Sequence, residues 1–333
     1  MDHARFLDRH ARDVIEVRRG RDALEAISQS GFWALVVTFE GKVTAVRFAD
    51  VRAGTPETGA VSWAPLDGHW HTSLGAAAYV KAVERVRELI AAGTVYQVNV
   101  CRVLRHALDD DADLDGLDHL VRSGNPAPHA ARIRCAAAGL DVVSASPELY
   151  LATREGRIVT RPIKGTAPTA EELLPKDHAE NVMIVDLMRN DLSAVCEPGT
   201  VSVDSLCVLE SHPGLVHLVS TVSGLLRPVV SWAEIFDAAY PPGSVSGAPK
   251  SSALRAIHDL EPTARGPYCG AIGWVDADRG EAQLAVGIRT FWAERDNDGD
   301  RWLRFGTGAG ITWRSDPAGE WAETELKAAR LVG

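Results

Sequence analysis

The chain has 333 residues, with 35 Lys+Arg against 45 Asp+Glu and a formal net charge of −10. At 46% hydrophobic and 24% charged it has the make-up of a folded globular protein with a large core, which excludes global disorder and a disulfide-stapled miniprotein. The acidic balance argues against nucleic acid or a membrane surface as partner, because both need clustered positive charge, and a small anionic substrate would need local cations.

The amino-terminal MDHARFLDRHARDVIEVRRG is charged throughout and lacks the apolar stretch of a signal peptide. No apolar run approaches the ~20 residues that span a bilayer, so a cytoplasmic protein is expected. The loop-like stretch Ala53–Leu74 is the sole candidate internal boundary. Tyr79–Ala92 reads as an amphipathic helix: Val80, Val83, Val86, Leu89 and Ile90 recur at helical spacing, and Gly93 closes it.

Val95–Leu104, Asp141–Ser146, Leu149–Ala152 and Arg157–Thr160 are predicted strands, rich in β-branched residues and bounded by turn formers. Helices are expected at Ala179–Met188, at Ser231–Ala239 with a capping box of Ser231 and Glu234, at Ser251–Leu260 and at Trp321–Leu331. Gln283–Phe291 and Trp302–Phe305 complete the strands. Because strands cluster instead of alternating with helices, the class is α+β with a mostly antiparallel sheet. The five cysteines (Cys101, Cys135, Cys196, Cys207, Cys269) are scattered and contain no C-x-x-C, as reduced thiols would be. None lies in a G-x-C-x-G elbow, so the chain carries no sign of its own amidase.

Several constellations have chemical potential. Asp177 and Glu180 share one helical face, as do Glu320 and Glu323 on a later helix. Opposed, the two faces would offer oxygen ligands to a hard cation such as Mg²⁺; spacing alone favours ordinary solvated faces. Lys164, in RPIKGT, is held by backbone beside rigid Pro162 and Gly165, and burial would favour the neutral, nucleophilic amine. A surface lysine in a loop is the commoner outcome for such a residue. Glu148 ends a strand in SASPE, as a buried general acid or as a solvated carboxylate.

Two glycine-rich segments fail the phosphate-loop and dinucleotide tests. In PPGSVSGAPK, Ala248 and Pro249 separate Gly247 from Lys250; in FGTGAGI a strand-like Ile-Thr-Trp follows the glycines instead of a helix. Both remain candidates for simple turns or for cradles whose backbone N–H groups meet an anion. Arg289 interrupts the strand-like AVGIRTF, reaching solvent or a carboxylate. His217, in VHLVS, reads more readily as a core histidine than as a catalyst.

Taken in order, SPE, PIKGT, KDHAENVMIVDLMRNDL, HLVSTVSGLL, PPGSVSGAPK, GAIGW, AVGIRTF, GAGI and SDPAGEWAETELKA resemble the chorismate-utilising enzymes from about Tyr79 to Leu331. That superfamily includes anthranilate synthase component I, aminodeoxychorismate synthase component I, and the isochorismate and salicylate synthases. The resemblance implies a single large domain of two packed, mostly antiparallel sheets flanked by helices. Residues 1–75 would be a shortened amino-terminal part and 76–333 the chorismate-binding catalytic part. The tryptophan pocket that relatives often carry in that first region is not expected here.

Two positions sort the members. Lys164 matches the lysine of the aminodeoxychorismate synthase motif, where anthranilate synthases carry alanine. Gln97 stands where the water-using members have an activating lysine; ammonia, unlike water, already has a nucleophilic lone pair. The resemblance therefore implies amination of chorismate at carbon 4 to 4-amino-4-deoxychorismate, a step that folate or secondary-metabolite pathways would share.

It further implies Mg²⁺ on Glu180 and Glu323, with Asp177 and Glu320 outside through water. Lys164 would add to the ring at carbon 2 while Glu148 protonates the departing hydroxyl. Arg289, Tyr268 and the backbone of Gly308, Ala309 and Gly310 would hold the enolpyruvyl carboxylate, with His217, Ser244 and Gly247 also in the substrate site. Ammonia would come from a separate glutamine amidotransferase subunit. Ala167 and Thr169 replace arginines common after the PIKGT motif, which bears on the order of that loop. The rivals are anthranilate synthase component I and a noncatalytic chorismate-binding subunit.

Overall fold

The computed structural model describes residues 1–54, 62–124, 126–167, 169–173, 175–212 and 215–332; positions 55–61 of the expected boundary loop lie outside the described residues. The chain opens with β1 (His3–Arg5), β2 (Arg9–Arg19), α1 (Gly20–Ala26), β3 (Phe32–Val37) and β4 (Val43–Ala53). β5 (His71–Thr72), α2 (Ala76–Ala91), β6 (Gln97–Ala107), α3 (Leu114–Gly124), β7 (His129–Cys135), β8 (Leu140–Ser146) and β9 (Leu149–Arg154) follow. Next come β10 (Arg157–Arg161), β11 (Ile163–Ala167), α4 (Pro175–Ser193), β12 (Ser202–His212), β13 (Leu215–Leu225) and α5 (Trp232–Ala239). The last elements are β14 (Gly247–Ala248), α6 (Lys250–Leu260), β15 (Ala271–Asp276), β16 (Glu281–Val286), β17 (Thr290–Arg295), β18 (Arg301–Ile311) and α7 (Pro317–Val332).

Among the described residues every ladder is antiparallel. One run of pairings goes β6–β18–β17–β8–β7 and another goes β3–β15–β16–β9–β10–β13–β12. The amino-terminal strands stitch them together, because β1 pairs with β7 and β2, and β4 joins β2 to β3. Val103, Ile133 and Val142 of the first run share the main core with Ile272, Leu284, Tyr150 and Val222 of the second. The α+β class and the largely antiparallel sheet are therefore as the sequence led us to expect.

Local chemistry explains the elements. Helix α2 buries Tyr79, Ala82, Val83 and Val86 on one face and ends before Gly93, whose φ of 72° suits glycine. Helix α5 carries the expected capping box, with Ser231 and Glu234 satisfying each other's backbone N–H groups. Strand β3 (FWALVV) is buried at every position, since sheet neighbours and core cover both its faces. Helices α2 and α6 cover β6 and β18 through Val86, Ala253, Ile257, Val98 and Ile311. Helix α4 lies against β11 and β13. Among the described residues no helix is long and apolar enough to cross a membrane.

Candidate active site

Lys164 lies in β11, opposite Leu218 of β13, at a bulge between Lys164 and Thr166. Gly165 makes the bulge possible: its φ is +75°, and a Cβ there would come within 2.7 Å of the Asp177 Cβ. The strand therefore turns Lys164 inward and brings the first turn of α4 against it. Lys164 Nζ donates to the Ser244 carbonyl at 2.9 Å. Burial pushes its pKa down, while Glu180 and Glu148 pull it back up and Lys327 pushes it down again. Lys164 thus lies in a strand and not in a surface loop.

Glu148 is 4% exposed, between β8 and β9. Burial raises its pKa to about 7, against the opposing pull of the Ser244 hydroxyl, the Lys164 amine and the Ile163 N–H. The Ser244 hydroxyl faces this carboxyl without a hydrogen bond of regular geometry. A carboxyl that holds its proton near neutrality thus meets an amine whose hold on its own proton burial weakens. Environments that push two groups in opposite directions mark an acid and a nucleophile.

The acidic pairs lie on α4 and α7. Asp177 and Glu180 sit in the first two turns of α4, and Glu180 acts electrostatically on Lys164. On α7, Glu320 is 6% exposed and accepts from the Ser315 hydroxyl at 2.6 Å. Glu323 pairs with Lys327 Nζ at 2.7 Å, and that ammonium also bears on Lys164. Tyr79, whose phenol pKa is raised first by burial and then by Cys101, Glu320 and Glu323, lies beside both α7 glutamates. Among the described residues no three His, Cys, Asp or Glu side chains form a ready-made metal cage. The donors are of the type Mg²⁺ takes: they are hard carboxylate oxygens on α4 and α7, and one of them, Glu323, already carries a cationic partner in Lys327. Mg²⁺ commonly takes one or two carboxylates and completes its shell with substrate and water.

The glycine segment of β18 is strand, not a turn. Gly306–Ile311 pairs with Val103–Val98 of β6, whereas the ladder with β17 ends at Phe305. The Cys101 N–H donates to Glu261 and the Asn99 N–H to Ser246, so both point away from β18. Their partners Gly308 and Gly310 must then aim their own N–H and C=O at the opposite edge. Lys327 Nζ donates to the Gly308 carbonyl there, at 3.0 Å. Gly308 has no room for a side chain, since a Cβ there would come within 2.6 Å of the Val100 carbonyl oxygen and of Cys101 Sγ; one at Gly310 would meet Gln97 Nε2 at 2.3 Å. Ala309, between them, is buried.

Gln97 is fully buried, and among the described residues neither its side-chain oxygen nor its nitrogen has a hydrogen-bond partner. Unmet polar atoms at such depth are costly, about 1–3 kcal/mol each, and call for a ligand. Gly247, at φ 140°, packs on the Gln97 backbone, and β14 pairs with β6 there. Tyr268 lays its ring on Gly306 and sets its hydroxyl 4.0 Å from Cys101 Sγ. Arg289 stands at φ 50° in the bend between β16 and β17, which breaks the single strand expected over Gln283–Phe291. That conformation costs a non-glycine residue about 1–2 kcal/mol, the kind of strain that clusters at functional sites. His217 is 2% exposed in β13, opposite Glu210 of β12.

Three contributors escaped the sequence reading. Lys327 carried a usable signal, four residues after Glu323. The Ser244 carbonyl and the Asn99 side chain, which donates to it at 3.3 Å, carried none. Lys250, weighed as a phosphate-loop lysine, instead ties Asp191 of α4 to the Ala239 carbonyl at the end of α5 (2.7 and 3.0 Å). Burial raises the Asp191 pKa to about 6 against that pull.

Residues 39–333 match the family model described as chorismate binding enzyme. Aminodeoxychorismate synthase component 1 of Klebsiella aerogenes is 35% identical over 320 residues, covering 90% of this chain and 68% of that protein. Anthranilate synthase component 1 of Streptomyces coelicolor is 40% identical over 276 residues, covering 79% of this chain and 52% of that protein. Among solved structures, anthranilate synthase component I from Streptococcus pneumoniae superposes with a TM-score of 0.83 at 22% identity, over 99% of this chain and 92% of that one. The chain thus spans between about half and two thirds of the length of these two curated relatives.

Proposed function

The chain belongs to the chorismate-binding enzyme family, and from that premise we propose that it aminates chorismate at carbon 4 with ammonia, giving 4-amino-4-deoxychorismate. The observation that supports this most is the Lys164 amine, hydrogen-bonded to Ser244 and flanked by a Glu148 carboxyl whose pKa is about 7. An ordinary lysine, at a pKa of ~10.4, is almost wholly protonated at neutral pH. Burial lowers that value at Lys164, which a nucleophilic role requires.

In this mechanism Lys164 Nζ bonds to ring carbon 2 as the bond from carbon 4 to its hydroxyl breaks. Glu148 delivers its proton to the departing oxygen, which leaves as water. Ammonia bonds to carbon 4, and the lysine departs from carbon 2 with its electron pair. Gln97, whose carboxamide has no partner among the described residues, accepts an ammonia N–H. Arg289 and the outward N–H groups of Gly308 and Gly310 hold the enolpyruvyl carboxylate. Tyr268 supports that strand through Gly306, and Ser244, Gly247 and His217 border the ring. Glu180 and Glu323, backed by Asp177 and Glu320, would hold Mg²⁺, whose charge offsets the ring carboxylate within an acidic protein. The ammonia donor would be a separate glutamine amidotransferase, since the family relatives are named as component 1.

Anthranilate synthase component 1 is the second reading, supported by the 40% identical relative of that name. It requires loss of pyruvate after amination. Incubating the purified chain with chorismate, ammonium and Mg²⁺ and separating the products distinguishes the two: fluorescent anthranilate would overturn our proposal, and nonaromatic aminodeoxychorismate is the expected result. Replacing Glu323 with Gln should raise the Mg²⁺ concentration for half-maximal activity by about tenfold, the loss of one charged ligand. A titration that superimposes on the wild type would remove Glu323 from the metal site.

A further inference from the structure

Arg265 is 1% exposed. Its guanidinium is used at every face. Nε and Nη2 donate to Glu261 at 2.7 and 2.6 Å, Nη1 to the Val245 carbonyl at 2.9 Å, and Nη2 also to the Asn99 carbonyl at 2.9 Å. Phe39 covers it, with the guanidinium carbon 4.1 Å from the ring centroid. Glu261 in turn accepts from the Cys101 N–H at 2.9 Å, and the Arg265 N–H donates to Glu40 at 2.7 Å.

A buried ion pair adds little net stability compared with apolar residues of the same volume, because desolvation consumes the Coulomb gain. What a bidentate arginine does supply is fixed geometry. Here it fixes two segments against each other: β6 at Asn99 and Cys101, and the turn at Val245. Ser244 lies between the gripped points. Its carbonyl receives Lys164 Nζ at 2.9 Å and Asn99 Nδ2 at 3.3 Å, and the Asn99 N–H donates to Ser246 at 2.9 Å. An amine that gives one N–H to a fixed carbonyl has its rotation about Cε–Nζ restricted, and with it the direction along which it meets the substrate. Misplacing a reacting group by about 1 Å costs on the order of 100-fold in rate.

We propose that Arg265 and Glu261 are positioning residues that act on the reaction by holding the Ser244 carbonyl against the Lys164 amine. This rests on Lys164 being the nucleophile. The clamp's hydrogen bonds go to Asn99, Cys101 and Val245 and not to Arg289, Gly308 or Gly310 themselves, so its effect falls on turnover more than on chorismate binding.

Arg265→Lys and Glu261→Asp both keep the buried charges paired, which favours folding, but neither reproduces the four-acceptor geometry. With circular dichroism matching the wild type, chorismate turnover with ammonium and Mg²⁺ should fall 10- to 100-fold, with KM for chorismate within about threefold. Hydrogen exchange followed by mass spectrometry should speed up in peptides covering 95–101 and 241–249. A turnover within twofold of wild type, or a lost turnover matched by an equal rise in KM, would overturn the proposal. Unchanged exchange in both segments would overturn it too, whatever product the wild type makes. The wild-type product alone decides whether the amination itself is correctly assigned, so the two failures are separable.

Discussion

Lys164→Ala is expected to lose about 10³-fold or more in aminodeoxychorismate formation with ammonium as donor, because a covalent step has no substitute nucleophile once the amine is gone. The variant should fold. The native state disfavours the charged amine, so that between the lowered native pKa and the ordinary value the unfolded chain binds more protons than the folded one. Wild-type stability therefore rises with pH across that window, and removing the amine flattens the slope. Product chromatography against wild type, with thermal melts at two pH values, checks both halves. Full amination by a folded Lys164→Ala protein would take lysine out of the chemistry.

Glu148→Gln should lose activity by about 10²–10⁴-fold, the usual contribution of a positioned acid, while gaining stability at alkaline pH. The carboxyl, raised by burial from 4.5 to about 7, holds its proton more tightly in the folded than in the unfolded chain. Its stabilising contribution is thus complete below about pH 4.5 and is lost as pH rises through about 7. By pH 8 the cost of keeping it buried and ionised reaches about 3 kcal/mol. Glutamine has no proton to lose. Urea unfolding at pH 5 and pH 8 should show the variant gaining on wild type only at the higher pH; an equal difference at both would mean the carboxyl does not carry its proton into the native state. For the same reason wild-type turnover should fall as pH rises above about 7.

Much of the architecture was legible where one physical signal dominated. Helix α2 announced itself by apolar spacing and a closing glycine, α5 by its capping box, and β6, β8, β9 and β10 by β-branched runs between turn formers. The amino-terminal strands did not. In RHARDVIEVRR the outward charged residues swamp the period, and its partner Val43–Ala53 is found only through pairing. FWALVV is buried on both faces, so it shows no alternation at all. The glycines of β18 point to a loop by propensity. They form a strand because the Tyr268 ring and Cys101 fill the places side chains would take.

The site divides in the same way. Its charged side chains, Glu148, Lys164, Glu180, Glu323 and Arg289, could be picked out as residue types at suggestive spacings. The nearness of Lys164 to Glu148, Glu180 and Lys327 could not, because it depends on pairings such as Lys164 with Leu218 and Gly310 with Asn99, between segments far apart in the chain. Backbone atoms are invisible to any reading of residue types. The Ser244 carbonyl and the outward amides of Gly308 and Gly310 emerge only once the strands are laid side by side.

The stitching by β1 to β4 has a consequence for biosynthesis. Phe32–Val37 leaves the ribosome with β4 beside it, but its other edge waits for Ala271–Asp276, roughly 240 residues later. Through that interval the nascent protein displays a wholly apolar ribbon with an open side, the kind of segment that recruits stray β-partners. Productive folding of this polypeptide must then be a largely post-translational event, and its yield should depend more on chaperone supply and growth temperature than on the stability of the finished product.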